Sequence, residues 1–339
     1  MIQRQALLTR LQEIAPGLAP RETIAQSSCV VFDGPLMYAF NGEVFARTKN
    51  VVPDVRGAVV GKLLIDGLDK MPDADINVTT GPGSILVTAG RKKLSVVMEA
   101  EIVLQTADVE TPAETDWQPV PPRFSDAVQT VSKCAASKSD DYAATCIHLT
   151  KTYMEACDNT QAARWAMPIP LRKESCLVPR SALRAIIGLG MMSMAETRSW
   201  LHFRNSNGVV ISCVKQNEEY PSLDKPFEEA GRACTLSGVS AAIGLAKAVA
   251  QSNPDDVNIR VDLKDNKCRV SATSPLGSFS DVVDCKYTDE PVSFYMDPDI
   301  MEAACGVSQS GIVTSTVLRL NGDGFAYICI LAERPNGSA

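Results

Sequence analysis

Three tandem α+β domains, each of two layers and each holding a helix-plus-strands motif twice, are the fold class this sequence predicts. Three observations carry the prediction. A strand–turn–strand run of one length occurs three times, at residues 75–90, 199–214 and 316–331. In the last of these, Val317, Phe325 and Tyr327 alternate about Asn321-Gly322-Asp323-Gly324, residues that tolerate the positive φ of a tight turn. A proline that opens a helix-like segment precedes each run: Pro53, Pro179 and Pro298, at intervals of 126 and 119 residues. A third of the 339 residues is about 113. That is the size of a self-standing domain rather than of a solenoid repeat of roughly 20 to 50 residues. The expected domains are 1–117, 118–225 and 226–339.

Residues 5–15 place Leu7, Leu8, Leu11 and Ile14 on one helical face, and Pro16, Gly17 and Pro20 stop the helix. Two or three strands are expected between Ser27 and Thr48, broken at Asp33-Gly34-Pro35 and Asn41-Gly42. A second helix is expected over 55–68, then the first hairpin, a strand over 94–98 and another around Ile102. The Pro-rich, acidic stretch 109–123 reads as a linker. The middle domain repeats the plan, with helices near 124–135 and 179–189 and strands around 144–156, 163–169 and 199–214. Residues 220–226 form the second linker. The last domain has helices near 237–251 and 298–306, and strands at 257–263, 267–272, 279–286, 312–320 and 325–331. The tail Glu333–Ala339 is expected to fray. Antiparallel strands with helices on one face give a two-layer α+β domain.

The composition is globular, 45% apolar and 22% charged, and no run of 18 apolar residues or signal-peptide pattern appears. Eleven scattered Cys with no Cys-x-x-Cys suggest buried free thiols in a reducing cytoplasm. The net charge of −7 argues against a protein that coats DNA with an overall basic surface, but not against basic residues confined to one face. Phosphate-loop, nucleophile-elbow, zinc-protease and dinucleotide motifs are missing. The two His, His148 and His202, each stand in a strand pattern, where a structural role is far commoner than catalysis. The pairs Asp140-Asp141 and Asp255-Asp256 lie in polar turn stretches that explain them. No enzyme, cofactor or metal is expected.

In this order and spacing the motifs resemble the bacterial DNA sliding clamp, the β subunit of DNA polymerase III, over nearly the whole chain. Residues 156–169 are similar to the family's Ala-Thr-Asp-Gly-x-Arg-Leu-Ala stretch and the Pro-containing strand after it. Leu177-Val178-Pro179-Arg180 is similar to its Val-Pro-Arg-Lys helix start, Glu219-Tyr220-Pro221-Ser222 to its Phe-Pro-Asp segment, and Thr115-Asp116-Trp117 to the acidic-Trp end of its first domain. The resemblance implies a DNA clamp fold closing head to tail as a homodimeric ring. Such a ring is a processivity factor that encircles duplex DNA without sequence preference. It tethers the replicative polymerase, the clamp loader and other clamp-binding-motif proteins of replication and repair, in the bacterial or infected-host cytoplasm and away from membranes.

On that reading Arg4, Arg10, Lys62, Lys133, Arg180, Arg184 and Lys247 are helix-borne cations facing DNA, and Arg21 and Lys138 are loop cations. Asp297, Asp299 and Glu302 make the sixth helix acidic. By carry-over, a partner-peptide groove includes Asn159, Thr160, Gln161, Ala162, Tyr220, Pro221, Lys225, Asp297, Ile300, Ile328, Cys329, Ile330 and Leu331. Alternation requires about half of 328–331 to be plain core. The dimer contact is expected to place Leu94 and Val96 against Val249 and Ala250. Two departures, 159–162 in place of Gly-x-Arg-Leu and 331–333 in place of a Pro-Met-Arg-Leu-like ending, imply a different preferred peptide and a divergent lineage, for which a phage-encoded clamp is one source. The alternative is a clamp-fold scaffold that binds peptides without encircling DNA.

Overall fold

In the computed structural model one order of elements occurs three times: a short strand, a helix, four strands, a helix and three strands. The structure describes residues 1–252 and 257–332, so Asp255-Asp256 and the tail from Glu333 lie outside the described residues. The first pass comprises β1 (Ile2–Gln3), α1 (Arg4–Ile14), β2 (Cys29–Asp33), β3 (Leu36–Phe40), β4 (Val44–Lys49), β5 (Gly57–Val60), α2 (Gly61–Asp69), β6 (Asp75–Gly81), β7 (Ser84–Ala89) and β8 (Lys92–Glu99). The second comprises β9 (Gln118–Pro119), α3 (Phe124–Val131), β10 (Cys146–Thr150), β11 (Tyr153–Cys157), β12 (Gln161–Ala166), β13 (Ser175–Pro179), α4 (Arg180–Arg184), β14 (Met191–Glu196), β15 (Trp200–Asn205) and β16 (Val210–Val214). After the short α5 (Asp224–Glu228) come β17 (Arg232–Thr235), α6 (Val239–Ala250), β18 (Ile259–Lys264), β19 (Lys267–Ser274), β20 (Gly277–Asp284), β21 (Val292–Met296), α7 (Pro298–Val307), β22 (Ser310–Val313), β23 (Val317–Gly322) and β24 (Phe325–Ile330).

By contacts the described chain sorts into two compact units. Unit 1 is Met1–Gln129, Leu149–Lys151 and Ile169–Asn217; unit 2 is Thr130–His148, Thr152–Pro168 and the described residues from Glu218 on. Unit 1 carries one antiparallel sheet of twelve strands, in which β4 pairs with β16 through Val44↔Cys213 to Arg47↔Val210. Leu7, Leu8, Leu11 and Ile14 of α1 are fully buried over this sheet, which is the amphipathic pattern read from the sequence. In unit 2, β11, β12, β24, β23, β22 and β17 are consecutive in one sheet, while β20, β19, β18 and β21 form a second of four strands.

All three hairpins form: β6–β7, β15–β16 and β23–β24, with Gly81↔Ser84 and Gly322↔Phe325 closing the two tightest turns. Pro298 stands at the first turn of α7, where its missing N–H costs nothing. Pro53 does not open a helix. Residues 57–60, expected as helix, are β5, because Ala58-Val59-Val60 pairs with β2 and α2 starts only at Gly61. Gly57 has φ +139°, and a Cβ there would lie 2.5 Å from the Glu99 carbonyl oxygen where β5 crosses β8. No strand forms around Ile102, which instead packs on the cluster of Cys29, Val31, Ala58 and Leu104. Strands β1, β9, β13, β14, β17 and β21 and helix α5 lie outside the expected elements. The 312–320 run is broken between β22 and β23, where the Thr314 hydroxyl accepts from the amides of Thr316 and Val317.

Two sets of charged or titratable groups deep in unit 1 are matched internally, although among the described residues Thr48 Oγ1 and Arg4 Nε are buried without a hydrogen-bond partner. Lys215 meets Glu196 at 2.6 Å with both side chains nearly inaccessible. His202 is fully buried, hydrogen-bonded to Thr197 Oγ1 through Nε2 and to Ser212 Oγ through Nδ1. Burial, with help from the charges of Arg47 and Lys215, pushes its pKa down from 6.5 to about 4. A His kept neutral in the fold binds its proton first in the unfolded chain, so its contribution is fully present above pH 6.5 and is lost as pH falls toward 4. The expected loss is on the order of 3 kcal/mol across that window. Urea unfolding at pH 7 and pH 4.5 should show a smaller acid loss for His202→Asn than for the parent chain; an equal loss would contradict the buried neutral imidazole.

Candidate functional site

A large apolar concavity lies in unit 2, on the sheet face opposite the side chains of Tyr327 and Cys329. Its floor is set by strand register. Ala162 on β12 pairs with Ile328 on β24, and Val317 on β23 pairs with Ile330. Side chains two apart on a strand share a face, so Ile328 and Ile330 look into the cavity while Tyr327 and Cys329, both fully buried, look into the core. Cys157, Ala162, Leu223, Val317 and Ile328 make one apolar cluster, with Tyr220 and Phe227 packed on it. The cavity holds about 800 Å³, within the range of sites that take a small ligand or a peptide segment.

One wall is the turn between β11 and β12. Asn159 takes φ +71° there, and Asp158 Oδ1 accepts from the amides of Thr160 and Gln161. The other wall is the segment around α5, and two arginines fix it. The guanidinium of Arg164 lies 4.3 Å from the ring centroid of Tyr153 and 4.6 Å from that of Phe227. It meets the buried Glu155 at 2.7 Å and Asp224 at 2.9 Å. Arg319 donates to the carbonyls of Phe227 and Glu229. His148 completes the network, its Nδ1 lying 2.9 Å from Glu155 and its ring 4.7 Å from Tyr220. Tyr220 donates its hydroxyl to the Cys157 sulfur at 3.5 Å, and burial pushes the Cys157 thiol up, so it stays protonated.

Of the residues expected in the groove, Asn159, Gln161, Ala162, Pro221, Lys225, Ile328 and Ile330 line this cavity. Six do not. Cys329 is core, Tyr220 packs behind the floor, and the Thr160 hydroxyl donates to Asp158. Asp297 caps α7 by accepting from the amides of Asp299 and Ile300. Ile300 and Leu331 are outside the lining. Sequence reasoning missed Cys157, Leu223, Pro226, Glu228, Glu229, Thr316 and Val317. The alternation of 317–320 signalled Val317, but the wall residues follow no period and depend on where Arg164 and Arg319 hold the linker.

The nine cations are in different situations. Arg4 is committed: its guanidinium donates to the Leu68 carbonyl at 3.1 Å and meets Asp73 at 3.3 Å. Arg10 pairs with Glu13 at 2.8 Å. Lys247 pairs with Asp299 at 2.5 Å and Glu302 at 2.9 Å, and those carboxylates hold its pKa well above the ordinary lysine value. Arg180 is half-buried, whereas Arg21, Lys62, Lys133, Lys138 and Arg184 are exposed. Among the expected dimer contacts, Val96 and Ala250 are buried within their own units, and Leu94 and Val249 are half-buried. Leu94 packs over Gly67. Val97 on β8 and Leu245 on α6 are the exposed apolar neighbours. The strand that carries Leu94 and Val96 has an open edge among the described residues, since β8 pairs with β7 along its length but with β5 only at Met98 and Glu99; β20, not singled out by the sequence, pairs only with β19.

Three passes through eight strands and two helices define the fold of the DNA sliding clamp. Comparison with solved structures identifies that fold along the chain. The DNA polymerase III β subunit of Thermotoga maritima superimposes with a TM-score of 0.86 at 14% identity, covering 98% of each chain. The sliding clamp of Pseudomonas aeruginosa gives 0.80 at 16% identity, covering 98% of this chain and 99% of its own; it has also been solved bound to griselimycin. By sequence alone, no family model and no curated protein matches. The likeness is one of fold at low identity, as in a divergent clamp.

Replacing Arg164 by Met removes the permanently charged partner of a Glu155 that is 2% exposed and leaves only His148 against it, which should cost about 3 kcal/mol in urea unfolding. Amide exchange at residues 224–229 should quicken by more than that of β23 and β24. Uniform quickening would mean that Arg164 does not hold the wall in particular.

Proposed function

We propose that two copies of this chain close head to tail into a ring around duplex DNA, where the ring serves as a processivity factor. The observation that carries the reading is the pair of open strand edges, β8 in unit 1 and β20 in unit 2, on a sliding-clamp fold. An unpaired edge is a template for another strand, and a heterologous contact repeated twice closes a two-membered ring. The exposed Val97, Leu245, Leu276 and Val282 supply apolar area beside those edges. Three domains, 1–117, 118–225 and 226–339, contribute six lobes to such a ring. The groove over β12 and β24 then tethers the replicative polymerase, the clamp loader and other replication or repair proteins by short apolar segments.

The work is topological, not catalytic. A ring that slides needs sequence-independent phosphate attraction, and Arg21, Lys62, Lys133, Lys138 and Arg184 are the exposed cations available for it. Arg4, Arg10 and Lys247 have carboxylate partners and take a smaller share. Eleven buried free cysteines suit a reducing cytoplasm, bacterial or that of an infected host.

One observation favours a second reading, a clamp-fold scaffold that binds peptides without enclosing DNA: Lys247 is neutralised by the acids of α7. The two separate on nicked circular DNA. A ring is retained on circles and escapes when they are linearised, whereas equal escape from both would favour the scaffold. Arg21→Ala with Lys138→Ala should weaken DNA binding about three- to tenfold at low salt and lower the log–log salt slope by about two, with peptide binding unchanged. Loss of peptide binding instead would contradict the assignment of those two cations.

A further inference from the structure

The apolar floor of the groove explains why a hydrophobic segment would enter it, but not the charges on its rim. Three charged residues line the cavity, Lys225, Glu228 and Glu229, all on or beside α5. Glu228 is exposed and Glu229 half-buried. Their positions three and four residues after Lys225 put all three on neighbouring turns, where a lysine and a glutamate can pair. No ion pair joins them in the structure, and neither carboxylate meets another cation among the described residues.

Apart from Lys225 itself, the two arginines near this wall are engaged elsewhere. Arg164 is matched by two carboxylates, Glu155 and Asp224, and Arg319 donates through Nη1 to the backbone carbonyls of Phe227 and Glu229. Those same contacts fix the backbone that carries Glu228 and Glu229. The two side chains therefore stand at the lip of an apolar cavity on a held wall, with no carboxylate-directed donor of their own.

Resting on the reading of this cavity as a partner-peptide groove, we infer that it selects a peptide whose apolar anchors are flanked by a lysine or arginine, read by Glu228 and Glu229. The apolar side chains seat on Ala162, Val317, Ile328 and Ile330, and the cation reaches the α5 wall. Rim charges of this kind set partner preference and salt dependence more than total affinity. An acidic flank meets the two glutamates instead and is disfavoured.

Fluorescence anisotropy with the full chain tests this. Two labelled peptides share the same pair of Leu and Phe anchors, one flanked by two arginines and the other by two aspartates. The basic peptide should bind about fivefold tighter at low salt, with the difference shrinking at high salt. The doubly reversed variant, Glu228→Lys with Glu229→Lys, should invert the preference. Ile330→Gln, a neutral change at a half-exposed floor position, should weaken both peptides and so separate groove binding from general attraction to a chain of net charge −7. Equal binding of the two peptides, or a preference that charge reversal leaves unchanged, overturns the inference while leaving the groove in place. Failure of both peptides to bind, or binding indifferent to Ile330→Gln, overturns the groove reading and the inference with it.

Discussion

The groove depends on one set of backbone hydrogen bonds, those that join β12 to β24 from Gln161↔Cys329 to Trp165↔Phe325. These strands are 160 or so residues apart in sequence, and their pairing decides which side chains meet. A slip of one residue would turn Ile328 and Ile330 into the core and Tyr327 and Cys329 out. Several contacts pin the register. Trp165 and Phe325 stack at 5.1 Å, directly across the seam. Tyr327 donates its hydroxyl to Gln161. With the register fixed, the floor is apolar by construction, and the linker beside it needs only to be held at the right height, which Arg164 and Arg319 do.

The same economy explains where the structure leaves polar groups unpaired. Deep in unit 1, Lys215 and Glu196 satisfy each other, and His202 has a partner on each ring nitrogen, because an orphaned polar group there costs more than a paired one returns. At the strand edges β8 and β20 the ladder simply stops, and backbone donors and acceptors remain for another strand to take. The third repeat spends Lys247 on the carboxylates of α7, so the exposed cations among the nine, Arg21, Lys62, Lys133, Lys138 and Arg184, all belong to the first two repeats.

The repeat was legible because it rests on local chemistry. Turn residues at 81–84 and 321–324 and the period-2 pattern around them specify hairpins with little help from the rest of the chain, and Leu7, Leu8, Leu11 and Ile14 specify α1 in the same way. Val59 was misplaced because β-branched residues next to a helix start fit either state until β2 offers them a partner. The site was half legible. Ala162, Ile328 and Ile330 follow from alternation and from resemblance, but Leu223, Glu228 and Glu229 sit on a wall whose position is fixed by Arg164 and Arg319 from distant strands. Likewise the resemblance assigns Asp297 to the groove, while its cap on α7 is a detail that the resemblance does not encode. Whether a lysine such as Lys247 is free or neutralised is a matter of tertiary neighbours that no local pattern encodes.

Imaging the purified chain by negative-stain electron microscopy over a range of concentrations tests the ring most directly. Closed particles of six domain-sized lobes around a central hole are expected, increasing with concentration at the expense of three-lobed arcs. Three-lobed arcs alone at every concentration, with no closed particle, would contradict closure through β8 and β20.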